Sequence, residues 1–290
     1  MKCNLCPRGC GVERSLTKGV CGVGDKIRVA KAMLHMWEEP CISGERGSGA
    51  IFFSGCPLGC VYCQNREISH EHYGNELSTS DLAKMMLDLQ AKGAHNINLV
   101  SPTQFSDRIR EAIDIARSEL KIPIVYNTGG YELASEIEKM SGYVDIFLTD
   151  MKYFSSEASA KYSRASDYFE HASEALKSML KIAPECVFDS NGLMKKGVIV
   201  RHLVLPSLRA DSIRVLDEVA KLTDISKIRL SLMSQYTPEF CPDAYREIKR
   251  KITTFEYQKV VEHALSLGYE GYIQEKDSAS ASYTPKFKKD

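Results

Sequence analysis

The sequence predicts an α/β fold: six βα units forming one parallel sheet behind a small cysteine-rich appendage. Three observations predict it. Six short β-type apolar runs are each followed by helix-period pattern, glycine- and proline-containing turns separate them, and eight of the ten cysteines fall within the first 63 of 290 residues. Such a length suits one large domain with an appendage, at roughly 100 to 200 residues per domain. Strand–helix alternation with right-handed crossovers gives a sheet curled into an incomplete barrel or left open and doubly wound, and pattern alone leaves both open.

Residues 1–48 read as the appendage, rich in Cys and Gly with one apolar stretch around Ile27 to Trp37. So little apolar material needs another organiser than a hydrophobic core. Residues 49–275 form the α/β body. Ala50 to Ser54 is its first strand, followed by the glycine-punctuated loop Gly55 to Cys63. Ser80 and Asp81 open a helix with Leu82, Met85, Met86 and Leu89 on one face, stopped by Gly93.

Asn96 to Val100 is the second strand, and Ser106 opens a helix carrying Ile109, Ala112, Ile113 and Ala116. Ile124 to Tyr126 follows Pro123 as the third strand, then a helix marked by Leu133, Ile137 and Met140. Asp145 to Thr149 is the fourth strand, Ser156 to Ile182 one or two helices, and Val198 to Leu205 the fifth strand. Ile213, Leu216, Val219 and Ala220 mark the next helix, Ile228 to Met233 the sixth strand, and Tyr257, Val260, Val261 and Ala264 the last helix, closed by Gly268. Residues 276–290, rich in Ser, Ala and Lys, read as a poorly ordered terminus or a surface strap.

Lys+Arg 38 against Asp+Glu 38 argues against a nucleic-acid or membrane partner held by bulk charge. No apolar run approaches the ~18 residues of a membrane span, and the opening Met1-Lys2-Cys3-Asn4 lacks a signal-peptide core. The expectation is a soluble, cytoplasmic protein. In that reducing setting, crowded cysteines point to metal or catalysis rather than disulfides.

Cys56, Cys60 and Cys63 form a CxxxCxxC loop directly after the first strand. Three thiolates on one tight loop leave one position open, which suits a catalytic metal or an iron–sulfur cluster with one unligated iron, and soft donors favour iron–sulfur. Cys3, Cys6, Cys10 and Cys21 form a second set among glycine turns, suited to zinc or a fully ligated iron–sulfur centre. Cys41, Cys186 and Cys241 have no partner at metal-site spacing and read as ordinary thiols.

Polar residues recur after the strands, where parallel sheets place their ligands: Ser101, Thr103, Asn127, Thr128, Asp150, Lys152, Gln235 and Tyr236. Arg201 interrupts an apolar strand and requires an anionic partner or solvent, while its neighbour His202 points the other way and reads as structural. His35, Met36 and Trp37 read as packing the appendage onto the barrel or lining its mouth, with packing favoured. Gly44, Gly47 and Gly49 read as a linker turn rather than a phosphate loop, and His70 and His72 as loop residues within reach of a substrate or, more commonly, solvated.

At Cys56-x-x-x-Cys60-x-Tyr62-Cys63 the sequence resembles the radical S-adenosylmethionine (SAM) superfamily, with Tyr62 in the aromatic slot. Trp37 to Asn65, Asn98 to Thr103, Asp150 to Lys152 and Met233 to Tyr236 resemble the branch named for pyruvate formate-lyase activating enzymes. The resemblance implies a partial (βα)6 TIM-like barrel and a 4Fe-4S cluster on Cys56, Cys60 and Cys63 that cleaves SAM to a 5'-deoxyadenosyl radical. It also implies that Tyr62, Ser101, Thr103, Asn127, Thr128, Asp150, Lys152, Arg201 and Gln235 surround the cofactor, Asp150 and Lys152 as the Asp-x-Lys of glycyl-radical activases. The Gly-Gly-Glu expected after the second strand is absent, since Val100-Ser101-Pro102-Thr103 offers no carboxylate for the methionine ammonium.

The expected activity is foremost that of a glycyl-radical-enzyme activase, fed by a low-potential donor such as flavodoxin or ferredoxin. The alternatives are direct modification of a small molecule or peptide, and a non-catalytic iron–sulfur or zinc sensor or scaffold.

Overall fold

Runs of consecutive apolar residues bounded by turns form strands covered on both faces, and in the computed structural model β2 (Ser48–Phe53), β4 (Ile97–Val100), β5 (Ile124–Thr128) and β6 (Ile146–Asp150) are buried at every position. The structure describes residues 2–274, 285 and 287. Ahead of β2 come β1 (Ile27–His35) and a one-turn helix α1 (Pro40–Ser43). Between β2 and β4 lie α2 (Arg66–Ser69), β3 (Asn75–Leu77) and α3 (Thr79–Ala91).

Helices α4 (Ser106–Ala116) and α5 (Ala134–Glu138) follow β4 and β5; α6 (Ser156–Ser163) and α7 (Tyr168–Ile182) follow β6. The chain ends with β7 (Val187–Phe188), β8 (Met194–Leu203), α8 (Arg209–Leu222), β9 (Ile228–Met233), α9 (Thr254–Ser266) and β10 (Gly271–Ile273). The sheet runs β10-β9-β8-β6-β5-β4-β2-β1-β3, with β7 pairing antiparallel beside β8. Every pairing from β2 to β10 along that path is parallel, and β1 and β3 add an antiparallel edge. The result is the partial TIM-like barrel the sequence led us to expect.

All six expected strands are present, and β10 is an additional parallel strand too short to stand out. The expected division at residue 48 falls inside the sheet: β1 pairs with β2 from Val29↔Phe53 to His35↔Ser48. Of residues 1–48, those before Ile27 and the connection 36–47 that carries α1 stand outside it. Helix α3 starts slightly before the expected Ser80, because Ser78 and Asp81 close a reciprocal capping box. Of the expected tail, all but Pro285 and Phe287 lies outside the described residues; Phe287 is buried against Phe52, ring centroids 5.3 Å apart.

Side chains alternate across each strand. Ile51, Phe53, Leu99, Tyr126, Phe147 and Val200 join Leu82, Met86, Ile109 and Leu176 of the helices in the main core. On the inner face Val125, Ile146, Leu148 and Ile199 pack on Cys41 and Ile42 of α1. The loop after β1 therefore turns into the barrel and floors its interior.

Candidate functional site

Beyond β2 the chain turns at Gly55 (φ +84°) and Gly59 (φ +58°). A Cβ on Gly55 would stand 2.7 Å from the Cys21 carbonyl oxygen, so only glycine lets the loop lie on the appendage there. The loop is held from several sides: Cys56 N donates to Cys21 O (3.2 Å), Gly55 N to Ile68 O (2.8 Å), and Gln104 Nε2 to Ser54 O and Gly55 O (3.1 Å each). Arg8 Nε donates to Pro57 O at 2.7 Å.

Cys56, Cys60 and Cys63 all face one cavity of about 250 Å³ on the inner side of the barrel. Ser163 Oγ donates to Cys60 Sγ (3.0 Å) and Ser69 Oγ to Cys63 Sγ (3.3 Å). Burial raises all three thiol pKa values, Cys63 to about 12. Lys152 supplies the opposing charge beside Cys56 and Cys60. Thiols this buried ionise when a metal replaces the proton.

Opposite the loop, Asp150, Lys152 and Arg201 form a buried charged knot. Arg201 Nε donates to Asp150 Oδ1 (2.8 Å) and Nη2 to Asn127 Oδ1 (2.6 Å), while Lys152 Nζ pairs with Asp150 Oδ2. Burial pushes the Asp150 carboxyl up, but Arg201 and Lys152 overcome this and hold it below its ordinary value. Burial likewise opposes the charge of Lys152, and Asp150 reverses that effect. Arg201 thus has its anionic partner within the chain.

Tyr62, Ser101, Asn127, Thr128, Asp150, Lys152, Arg201 and Gln235 all line the cavity. Tyr62 also donates or accepts a 2.5 Å hydrogen bond with Tyr153, whose hydroxyl reaches Ser163 at 2.9 Å. Ser101 adopts a left-handed φ of +57°, rare for a residue with a side chain, and this backbone turn ends β4 at the cavity. Thr103 is the exception among the expected residues: it is outside the lining, its hydroxyl donating to Glu132 Oε1 at 2.5 Å on the helix side of the sheet. His202 faces away from the cavity, as expected, with Nδ1 2.6 Å from Met151 O; burial lowers its pKa to about 4.

Three residues were missed or read differently from sequence. His35 and Trp37 line the cavity, the less favoured of the two places the sequence offered for them. Glu38, next along the same loop, reaches Asn98 and Asn127 on the barrel's inner face. Its only sequence signal was an acidic pair between Trp37 and Pro40.

The other four thiols gather in the appendage. Cys3 and Cys10 are hydrogen-bond neighbours, and Cys10 Sγ and Cys21 Sγ lie 3.3 and 3.4 Å from where a Gly19 Cβ would stand. Cys6 is buried near Cys3 and Cys21, its pKa raised by burial to about 12. Among the described residues no group of three or more His, Cys, Asp or Glu side chains is gathered as the ligand shell of a metal ion. The open three-thiol loop, with two serine donors and a lysine beside it, fits a 4Fe-4S cluster.

Among the described residues no helix is long and apolar enough to cross a membrane. A family model described as Radical SAM superfamily matches residues 50–206. The uncharacterized protein MJ0674 of Methanocaldococcus jannaschii is 26% identical over 272 residues, covering 90% of this chain and 74% of that protein. Among solved structures, HydG, a maturase of the FeFe-hydrogenase, is similar with a TM-score of 0.51 and 12% identity over 76% of this chain and 49% of HydG. Streptococcus suis SuiB bound to S-adenosylmethionine gives 0.49 and 15% over 73% of this chain and 44% of SuiB. The chain thus spans under half the length of either solved structure.

Proposed function

The chain belongs to the radical SAM superfamily, and from that premise we propose that it takes a hydrogen atom from a substrate group admitted to the barrel cavity. When bound on Cys56, Cys60 and Cys63, the cluster supplies the electron that splits SAM into methionine and the 5'-deoxyadenosyl radical. The chain's own residues bind, orient and exclude water. Asp150 and Arg201 present a fixed acceptor and donor to the cofactor's polar groups, Lys152 balances thiolate charge, and Tyr62 and Tyr236, ring centroids 5.7 Å apart, wall the cavity from solvent. The observation that carries this reading is the meeting of three thiols and the Asp150–Lys152–Arg201 knot in one cavity.

Direct modification of a small molecule or peptide is the reading favoured for the substrate, because polar and charged groups such as Glu38, Asn127 and Gln235 line the cavity beside the knot. A second reading, activation of a glycyl-radical enzyme through a backbone glycine of that partner, is supported by Asp150, Lys152 and Arg201 lying together as in the activases the sequence resembles. Either needs a low-potential electron donor such as flavodoxin or ferredoxin.

Anaerobic 5'-deoxyadenosine formation by the reconstituted, reduced protein tests the class, with Cys63→Ala as control. Product from the parent protein and none from the variant is the expected result. Absence of product despite an intact cluster, with or without candidate partners, would transfer the chain to the sensor or scaffold reading. A glycine-centred radical signal on a partner protein would select the activase reading.

A further inference from the structure

Glu38 lies where the loop after β1 enters the barrel. Its Oε1 accepts from Asn98 Nδ2 (3.0 Å) and Asn127 Nδ2 (3.3 Å), and its Oε2 stands 3.6 Å from Arg201 Nη1. Asn98 belongs to the first half of β4, whereas the cysteine loop leaves the far end of β2. Glu38 therefore sits on the floor of the cavity, on the other side of the charged knot from the thiols.

Glu39 follows it, 8% exposed, with a hydrogen bond to Ser231 but none on Oε2. The fully buried Asn98 likewise has an unpartnered carbonyl oxygen, Oδ1, beside Glu38. Three carboxylates, Glu38, Glu39 and Asp150, thus share two cations, Arg201 and Lys152, and Lys152 also faces Cys60. Burial pushes both glutamates above their ordinary values, and Arg201 opposes that shift. Glu38 is the one of these groups that lines the cavity beside Asp150, and among the described residues its Oε2 has only the 3.6 Å ion pair with Arg201 and no hydrogen bond, so it has room for a cationic N–H donor.

We propose that Glu38, backed by Glu39, is the recognition carboxylate for a cationic group of the substrate, a protonated amine or guanidinium held on the barrel floor. The assignment rests on the radical SAM reading above and adds the chemical class of substrate. Glu38 is the contact because it lines the cavity, and Glu39 and Asn98 supply negative potential and acceptors behind it. His35 and Trp37 line the same cavity.

Calorimetric titration of the cluster- and SAM-loaded protein with n-butylamine and agmatine, against n-butanol as the uncharged probe, tests this. The expected result is amine binding at least about tenfold tighter than the alcohol, with that preference lost in Glu38→Gln and reduced in Glu39→Gln. Glu39→Gln makes no contact with Asn127 or Asp150 in its parent form, which keeps the test open if Glu38→Gln does not fold. Equal binding of amine and alcohol, or a preference that survives both substitutions, overturns the proposal. So does a Glu38→Gln protein in which SAM affinity falls while the amine preference persists, since that assigns the acid to the cofactor. Failure of the parent protein to form 5'-deoxyadenosine counts against the radical reading alone, because the amine titration is decided without turnover.

Discussion

Asp150 and Arg201 are cross-strand partners on β6 and β8, and the guanidinium Nε reaches the carboxylate at 2.8 Å. The pair is buried at the carboxyl end of β6, with Lys152 on the other carboxylate oxygen and Asn127 on the other face of the guanidinium. Register places the two charges opposite one another before any ligand arrives, so the site is pre-organised by the sheet.

Removing the cation should expose that dependence. Arg201→Ala leaves Asp150, Glu38 and the Asn127 carbonyl short of a partner, and breaking a buried ion pair on one side costs roughly 3–5 kcal/mol. Urea denaturation should register that loss and SAM binding should weaken by about tenfold or more. Arg201→Lys should recover charge without the fork, restoring only part of both. A variant with unchanged stability and SAM affinity would show the pair to be dispensable.

Cys60→Ser and Cys63→Ser should each reduce the iron carried by the loop from about four atoms towards none. Ser69→Ala and Ser163→Ala test the donors to the sulfurs. Each removes one hydrogen bond to a thiolate, so the cluster should be retained while its reduction potential falls. A redox titration followed by electron paramagnetic resonance reads both. An unchanged potential in the double serine variant would remove these hydroxyls from the account.

Arg14 links the appendage to the loop that carries the cluster. Its Nη1 donates to Gln104 O at 2.5 Å and its Nη2 to Gly24 O, while the Gln104 side chain holds Ser54, Gly55 and Ser101. Arg14→Ala leaves two carbonyls without their donor, at roughly 1–3 kcal/mol for each one left buried. Thermal unfolding should begin lower, and the loop cluster should be lost faster to a chelator. Cys6→Ser asks a separate question of the same region: bound metal should fall by one centre, zinc or iron–sulfur, while the loop cluster remains. Unchanged metal content would mean that Cys3, Cys6, Cys10 and Cys21 hold none.

The strands were legible because buried parallel strands are written as unbroken apolar runs, Ala50 to Phe53 and Ile146 to Leu148 among them. Their carboxyl-end residues followed from topology, which is why Asn127, Asp150 and Gln235 meet in one cavity. Thr103 did not follow, because the left-handed turn at Ser101 carries the chain out of the barrel before Thr103 is reached. Glu38 was hidden for the opposite reason. Local pattern treats Trp37 to Pro40 as a connection, and only the packing of Cys41 and Ile42 under Val125 and Leu148 brings that connection inside. Return paths of this kind are tertiary facts with no period in the sequence.

Thr103 now belongs to a different device. Glu132 is fully buried, accepts from the hydroxyls of Thr103 and Thr128, and keeps Oε2 without a partner. Burial raises its pKa to about 7, against the two threonine hydrogen bonds that lower it. Between the unfolded value near 4.3 and the folded value the native state binds the extra proton, so stability is fully present below that window and falls as pH rises through it. The loss should reach roughly 3 kcal/mol above pH 7. Glu132→Gln keeps the volume and cannot ionise, and its denaturation midpoint should stay level from pH 5 to 8 where that of the parent protein declines. Parallel pH profiles for the two proteins would show that Glu132 is not the group responsible.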